Sequence, residues 1–241
     1  MSKSAASLKA RSDAVAGTYV RKRYAILFYL LLVTFVASPV FSALHREPIF
    51  IELLLATTLL VAVFPVRAAN ARRALFVLLL IALAGRLLAA SLGETFSSVS
   101  HGVLTLVGLL AAAHALRSAL RATSIDSEHI YAALSAYLLA GLSFGIFYWA
   151  LEQAWPGSLY YGGSAVGRFS EADGVYFSFV TLATLGYGDF VPKTEVARGL
   201  AVLEAVAGQL YLGVMVARLV SLYVSGTASR KHAGPEVQSS E

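Results

Sequence analysis

No cysteine occurs among the 241 residues, so neither a disulfide framework nor a thiolate metal site can form, and redox chemistry says nothing about compartment. Charge is scarce as well. Only 14% of the residues are charged against 58% hydrophobic, and the mean hydropathy of +0.70 lies far above that of a soluble domain. The composition is that of an integral membrane protein. No nucleophile stands with a base, no loop is built to cradle phosphate, and no cluster has metal-ligand spacing, so the sequence supports no enzyme activity and no cofactor. No stretch outside the apolar segments approaches the roughly 50 residues that an independent ligand-binding domain needs. The net charge of +5 raises nucleic acid as a partner, but the basic residues sit at the ends of apolar segments rather than on one face. Membrane orientation accounts for them better.

Six apolar segments are long enough to cross a bilayer at about 20 residues each: Tyr24 to Leu44, Ile49 to Val66, Ala74 to Leu92, Val99 to Leu120, Ile130 to Ala150 and Ala197 to Val224. With the N-terminus in the cytoplasm, 13 of the 19 Lys and Arg fall inside, among them Arg21, Lys22, Arg23, Arg72, Arg73, Arg117 and Arg121. Arg46, Arg168, Lys193 and Arg198 fall outside, and Arg86 and Arg218 lie within segments. Both termini are therefore expected in the cytoplasm of a multi-pass protein of the cell membrane. "SPVFSA" after the first segment raises a cleaved signal peptide as an alternative, although that segment is longer than a typical signal core. The expected organisation is a polar tail over 1–23, a four-helix bundle over 24–121, a second membrane unit over 122–224 and a polar tail over 225–241. The helix of the fifth segment is expected to start at Asp126 or Ser127, within the linker "RATSIDSEH".

Between the fifth and sixth segments, Gly174 to Leu185 is apolar but too short to span, and it runs into "TLATLGYGD", Thr181 to Asp189. Such a segment must enter the membrane and return. Irregular backbone at that depth is tolerated only where it is buried in protein or lines a water-filled path. Glycines at alternate positions, Gly186 and Gly188, adopt positive φ cheaply and let neighbouring carbonyls point the same way, where an ordinary strand would alternate them. Thr184, Leu185, Gly186, Tyr187 and Gly188 would then form a column of oxygens roughly 15 Å long. One chain supplies one wall. Because the motif occurs once and no internal repeat is present, closing a cage requires a ring of identical chains, most simply four. The expected helix before it, Asp173 to Thr184, is about 18 Å long, half a membrane, and aims its negative end at the pore centre. Asp173 can cap or complement its N-terminus.

The stretch "DGVYFSFVTLATLGYGDFVPKT" resembles the pore region of tetrameric potassium channels, whose signature T-x-x-T-x-G-Y-G-D is matched by Thr181, Thr184, Gly186, Tyr187, Gly188 and Asp189. Pro192, Arg198 and Gly208 stand where that family has its post-filter proline, a basic residue opening the inner helix and the gating glycine. The resemblance covers about 95 residues, Ile130 to Val224. It implies an all-α homotetramer in the lipid bilayer, with six spanning helices and a re-entrant pore helix per chain, passing potassium passively. It also implies that the carbonyls of Thr184, Leu185, Gly186 and Tyr187, with the Thr184 hydroxyl, replace the hydration shell of K+. Leu185 departs from the usual Val or Ile. The family's paired tryptophans correspond to Tyr176 and Phe177, and phenylalanine cannot donate the hydrogen bond an indole gives. The nearest branch is the bacterial six-helix type without an arginine-rich sensor. A potassium transporter, or a non-conducting regulatory subunit that keeps the motif for folding, are the alternatives.

Asp189 either concentrates cations at the outer mouth or braces the filter, for instance against Tyr176. Glu204, one turn before Gly208, either tunes the cavity or makes a hydrogen bond to the pore helix, or is protonated. Gly208 and Gly213 are candidate bends or packing glycines, and Gln209, Leu212 and Val216 would follow a stripe toward the cavity. The fourth segment carries only Arg117 and Arg121, both at its cytoplasmic end, so weak or no voltage gating is expected. His101 and His114, thirteen residues apart on nearly opposite faces, do not suit a shared metal. Glu52 and Arg86 are each costly alone in a membrane and are expected to pair. Reversing either charge should then abolish expression, and reversing both should restore it; a double reversal that expresses no better than the singles rejects the pair.

Overall fold

The computed structural model describes residues 22–37, 49–63, 69–87, 94–121 and 127–232. Six helices follow in chain order the six apolar segments: α1 over 22–37, α2 Ile49–Val63, α3 Ala69–Leu87, α4 Glu94–Leu120, α5 Ser127–Ala154 and, after a short helix, α7 Glu195–His232. That short helix is α6, Glu171–Leu182. Among the described residues three helical stretches are long and apolar enough to cross a membrane: Ser100–Leu120, Ser127–Ala154 and Glu195–Leu222. The side chains of Glu52 and Arg86, and Asp126 with the rest of the linker before α5, lie outside the described residues.

Two expectations change. The helix of the sixth segment runs on to His232 instead of ending at Val224. The chain is also not purely α: β1 Leu159–Tyr161, β2 Ser164–Ala165 and β3 Phe190–Pro192 make a small antiparallel sheet in the order β2-β1-β3. Its hairpin has Gly162 and Gly163 at φ 57° and 86° between paired Tyr161 and Ser164. Two positive-φ residues there make the two-residue turn that matches strand twist. The sheet is fastened to α5 by Glu152, whose two carboxylate oxygens accept from the Gly157 and Leu159 amides at 2.7 and 2.8 Å.

Three clusters hold the fold. Tyr24, Leu27 and Leu31 of α1 pack with Ala111, Ala115, Leu139 and Leu142 of α4 and α5. Leu59, Leu79 and Val107 join α2, α3 and α4, while Tyr148, Leu159, Phe169, Phe177 and Ala197 join α5, β1, α6 and α7. Phe35 of α1 also reaches α6, its ring meeting Phe179 edge-on at 4.8 Å.

The crossing of α5 and α6 depends on glycine. A Cβ on Gly145 would lie 2.5 Å from the Val175 Cα, and one on Gly174 would strike the Gly145 carbonyl. Both obstacles are backbone, so the helices would have to separate. Gly145→Ala and Gly174→Ala should each cost about 1–3 kcal/mol or more in thermal unfolding in detergent. Gly102→Ala, where a Cβ meets nothing within 4 Å, should be neutral or stabilising; equal losses at all three sites would contradict this packing.

Candidate functional site

The site is built at the C-terminal end of α6. That helix begins two residues before the expected Asp173 because Ser170 is the cap: its hydroxyl accepts from the Asp173 amide and the Asp173 carboxylate accepts from the Ser170 amide, a capping box. Asp173 thus complements the N-terminus from the third helical position. The helix stops at Leu182, short of the expected Thr184, because the chain then turns left-handed: Thr184, Gly186 and Gly188 have φ of 55°, 58° and 76°. The two glycines behave as their alternate spacing predicts. Thr184 was not foreseen, since a β-branched residue is uncommon at positive φ.

The turn is held by amides pointing back into the helix. Thr184 N donates to the Thr181 carbonyl at 3.0 Å, and Leu185 N and Gly186 N share the Val180 carbonyl at 2.9 and 3.4 Å. No carbonyl of residues 184–188 accepts a hydrogen bond among the described residues. Five successive residues, all exposed, therefore keep their oxygens unpaired, and the negative end of α6 stands behind them. Such an arrangement suits a cation.

Three side chains steady this segment. Tyr176 donates its hydroxyl to Asp189 Oδ2 at 2.8 Å, and the Phe190 amide donates to Oδ1 at 2.9 Å. Partial burial works against the charge on Asp189, but the bonds from Tyr176 and from the Phe190 and Asp189 amides outweigh it and hold the carboxyl below the ordinary aspartate range. Phe177 is buried and packs edge-on against Tyr148 at 4.7 Å. At the lower end Gln209 Nε2 donates to Thr184 Oγ1 at 3.2 Å, a contact that spacing alone did not show. Beyond Asp189 the chain enters β3, so the segment is anchored by a helix at one end and a sheet at the other.

Gly208 is buried, and a Cβ there would strike the Leu182 carbonyl, so close approach of α7 to the end of α6 requires this glycine. Gly213 has open space around its Cα. Gln209, Leu212 and Val216 are exposed in the single chain. Glu204 is fully buried and hydrogen-bonded to Ser178 of α6. His101 is buried too, its ring tilted at 50° to that of Trp149 with centroids 4.2 Å apart and its Nε2 3.5 Å from Glu171, and no group of three metal-ligating side chains occurs among the described residues.

The Asp189 contribution is present above the unfolded aspartate pKa and is lost as pH falls through the depressed folded value. Tyr176→Phe removes a donor, so an infrared titration referenced to Asp189→Asn should find the carboxyl protonating at higher pH than in the unsubstituted protein. An unchanged titration would mean that Tyr176 does not brace Asp189.

Residues 133–225 match a family model described as "Ion channel". A two pore potassium channel c of Oryza sativa subsp. japonica is 34% identical over 85 residues, 35% of this chain and 18% of that protein. Two-pore potassium channel 4 of Arabidopsis thaliana is 40% identical over 53 residues, 22% of this chain and 19% of the relative. The inward rectifier potassium channel Kirbac3.1 of Paramagnetospirillum magnetotacticum is 32% identical over 96 residues, 38% of this chain and 28% of the relative. The chain thus spans less than a third of each relative's length. No solved structure gives a significant match. Family and relatives alike are channels rather than enzymes, and with the apolar helices they make this a multi-pass membrane protein. Residues 133–225 are thus similar to the ion-channel family and to segments of plant and bacterial potassium channels.

Proposed function

We propose that the protein is a potassium-selective channel, a homotetramer whose four copies of Thr184-Leu185-Gly186-Tyr187-Gly188 enclose a single-file path. The observation that carries this reading is the left-handed backbone at residues 184, 186 and 188, with the amides of residues 184–186 returned to α6 and the carbonyls of residues 184–188 left unpaired among the described residues. A dehydrated cation entering such a column exchanges water oxygens for carbonyl oxygens at little net cost. The Thr184 hydroxyl, steadied by Gln209, closes the lowest cage. K+ is the permeant ion named for the relatives.

The exposure pattern supports a ring. Only 17% of the most apolar window of α7 is buried within the chain, against 44% for α4 and 50% for α5. Leu185 and Tyr187 are 57% and 68% exposed although they flank the oxygen column. Neighbouring copies would cover these faces and leave the stripe of Gln209, Leu212 and Val216 toward a central cavity. With the basic residues inside, α1 to α5 and α7 give six spans in the cell membrane, both termini cytoplasmic and the α6 loop entering from outside. Arg117 lies in the last turn of α4 and Arg121 just beyond it, so little charge can cross the field and voltage dependence is weak.

Purified protein in liposomes should pass potassium down its gradient, reject sodium and be blocked by barium, with conductance nearly independent of voltage. Slow saturating uptake would mark a transporter and no flux a non-conducting subunit. Gly186→Ala places a Cβ at φ 58°, a strain of about 1–2 kcal/mol in each subunit. It should lower the potassium-to-sodium permeability ratio about tenfold or more; an unchanged ratio would contradict the assigned filter.

A further inference from the structure

Glu204 is a carboxyl group with 0% exposure in the middle of α7, and its surroundings fix how many protons it holds. Its Oε1 lies 2.5 Å from Ser178 Oγ, and the same Ser178 Oγ lies 2.7 Å from the carbonyl oxygen of Gly141 on α5. A hydroxyl carries one hydrogen, and a backbone carbonyl has none to give. Were Glu204 ionised, the Ser178 hydrogen could serve one of these two contacts, and the other would set lone pair against lone pair at hydrogen-bond distance. Two short contacts need two hydrogens, and the second can come only from the carboxyl group.

Two further observations agree. Glu204 Oε2 makes no well-formed hydrogen bond and meets the Tyr148 hydroxyl of α5 only in a looser contact, a poor setting for half of a carboxylate charge and a lighter cost for a neutral carbonyl oxygen. No cationic side chain of the described residues pairs with Glu204. The titratable groups facing it are the Tyr148 and Tyr137 hydroxyls of α5, neither of which can carry a positive charge, and α6 presents the Ser178 hydroxyl.

We infer that Glu204 is a neutral carboxylic acid that donates through Ser178 to Gly141, and that this directed chain positions the pore helix against both neighbouring helices. Glu204 is a positioning residue: it touches no permeant ion and acts through α6. One turn further along α7, Gly208 lies against the Leu182 carbonyl at the end of α6, so the proton on Glu204 and the missing side chain of Gly208 fasten the helix that carries the filter. Loss of the proton turns Ser178 toward Glu204, frees the Gly141 contact and buries a charge behind the filter. The neutral form is present below the folded pKa of Glu204 and is lost as pH rises through it.

The functional part of this inference rests on the potassium-channel reading, and the protonation part does not. Infrared spectra of the purified protein at neutral pH should contain a protonated-carboxyl C=O stretch that disappears in Glu204→Gln. In liposomes Glu204→Gln, whose carboxamide can still donate to Ser178, should keep the potassium-to-sodium permeability ratio and resist alkaline loss of conduction that the unsubstituted channel shows. Glu204→Ala and Ser178→Ala should each lower the ratio about tenfold, the worth of one broken hydrogen bond to a buried group. Where the alanine variants do not assemble, the infrared difference between the unsubstituted protein and Glu204→Gln decides. Absence of the protonated band, or a Glu204→Gln variant as defective as Glu204→Ala, overturns the inference. Failure of the unsubstituted protein to pass potassium, with the band present, refutes the channel reading and leaves the proton in place.

Discussion

The Val180 carbonyl, taking the amides of Leu185 and Gly186, is the contact on which the segment after α6 depends. An α-helix leaves its last carbonyls without partners, and the chain that follows commonly folds back to satisfy them. Here the return consumes the amides of residues 184–186 and forces the left-handed turn. A turn whose amides are spent and whose carbonyls stay free is polarised there. Everything else around it serves to hold that backbone: the capping box at Ser170 fixes where α6 starts, Gly145, Gly174 and Gly208 let α5 and α7 approach it, and the small sheet fixes where the chain leaves.

The same constraint explains what could be read in the sequence. Alternate glycines announce themselves because no other residue takes positive φ so cheaply, and the Tyr176–Asp189 bond follows from a carboxylate needing a donor. The six apolar runs each overlap a helix among the described residues, and three of these helices hold stretches long and apolar enough to cross a membrane. Thr184 at positive φ was hidden, since its conformation is imposed by the α6 return and not by its own preference. The two-residue error in the bounds of α6 came from weighting Asp173 over Ser170, although S-x-x-D is a capping signature in plain view. The Gly162-Gly163 hairpin was equally legible, whereas the Glu152 anchor and the Gln209 bond to Thr184 join residues that no periodicity relates.

Glu204 shows the limit of sequence reasoning most clearly. A lone carboxylate in an apolar segment signals importance by its cost, but cavity-facing and pore-helix-facing readings differ only in the rotation of α7. The three-dimensional arrangement selects the second, because Ser178 and Gly141 meet the carboxyl from two different helices.

Two features of the single chain bear on its assembly. Its longest described helix is less buried than the other two helices long and apolar enough to cross a membrane, and residues 184–188 are exposed. Both follow if the unit of function is a ring. The most direct test of that claim is the density on the symmetry axis of the detergent-solubilised assembly in thallium or rubidium salt. The account predicts fourfold symmetry with ions between successive planes of the carbonyls of residues 184–187. A monomer, or a ring whose carbonyls turn away from an empty axis, would contradict it.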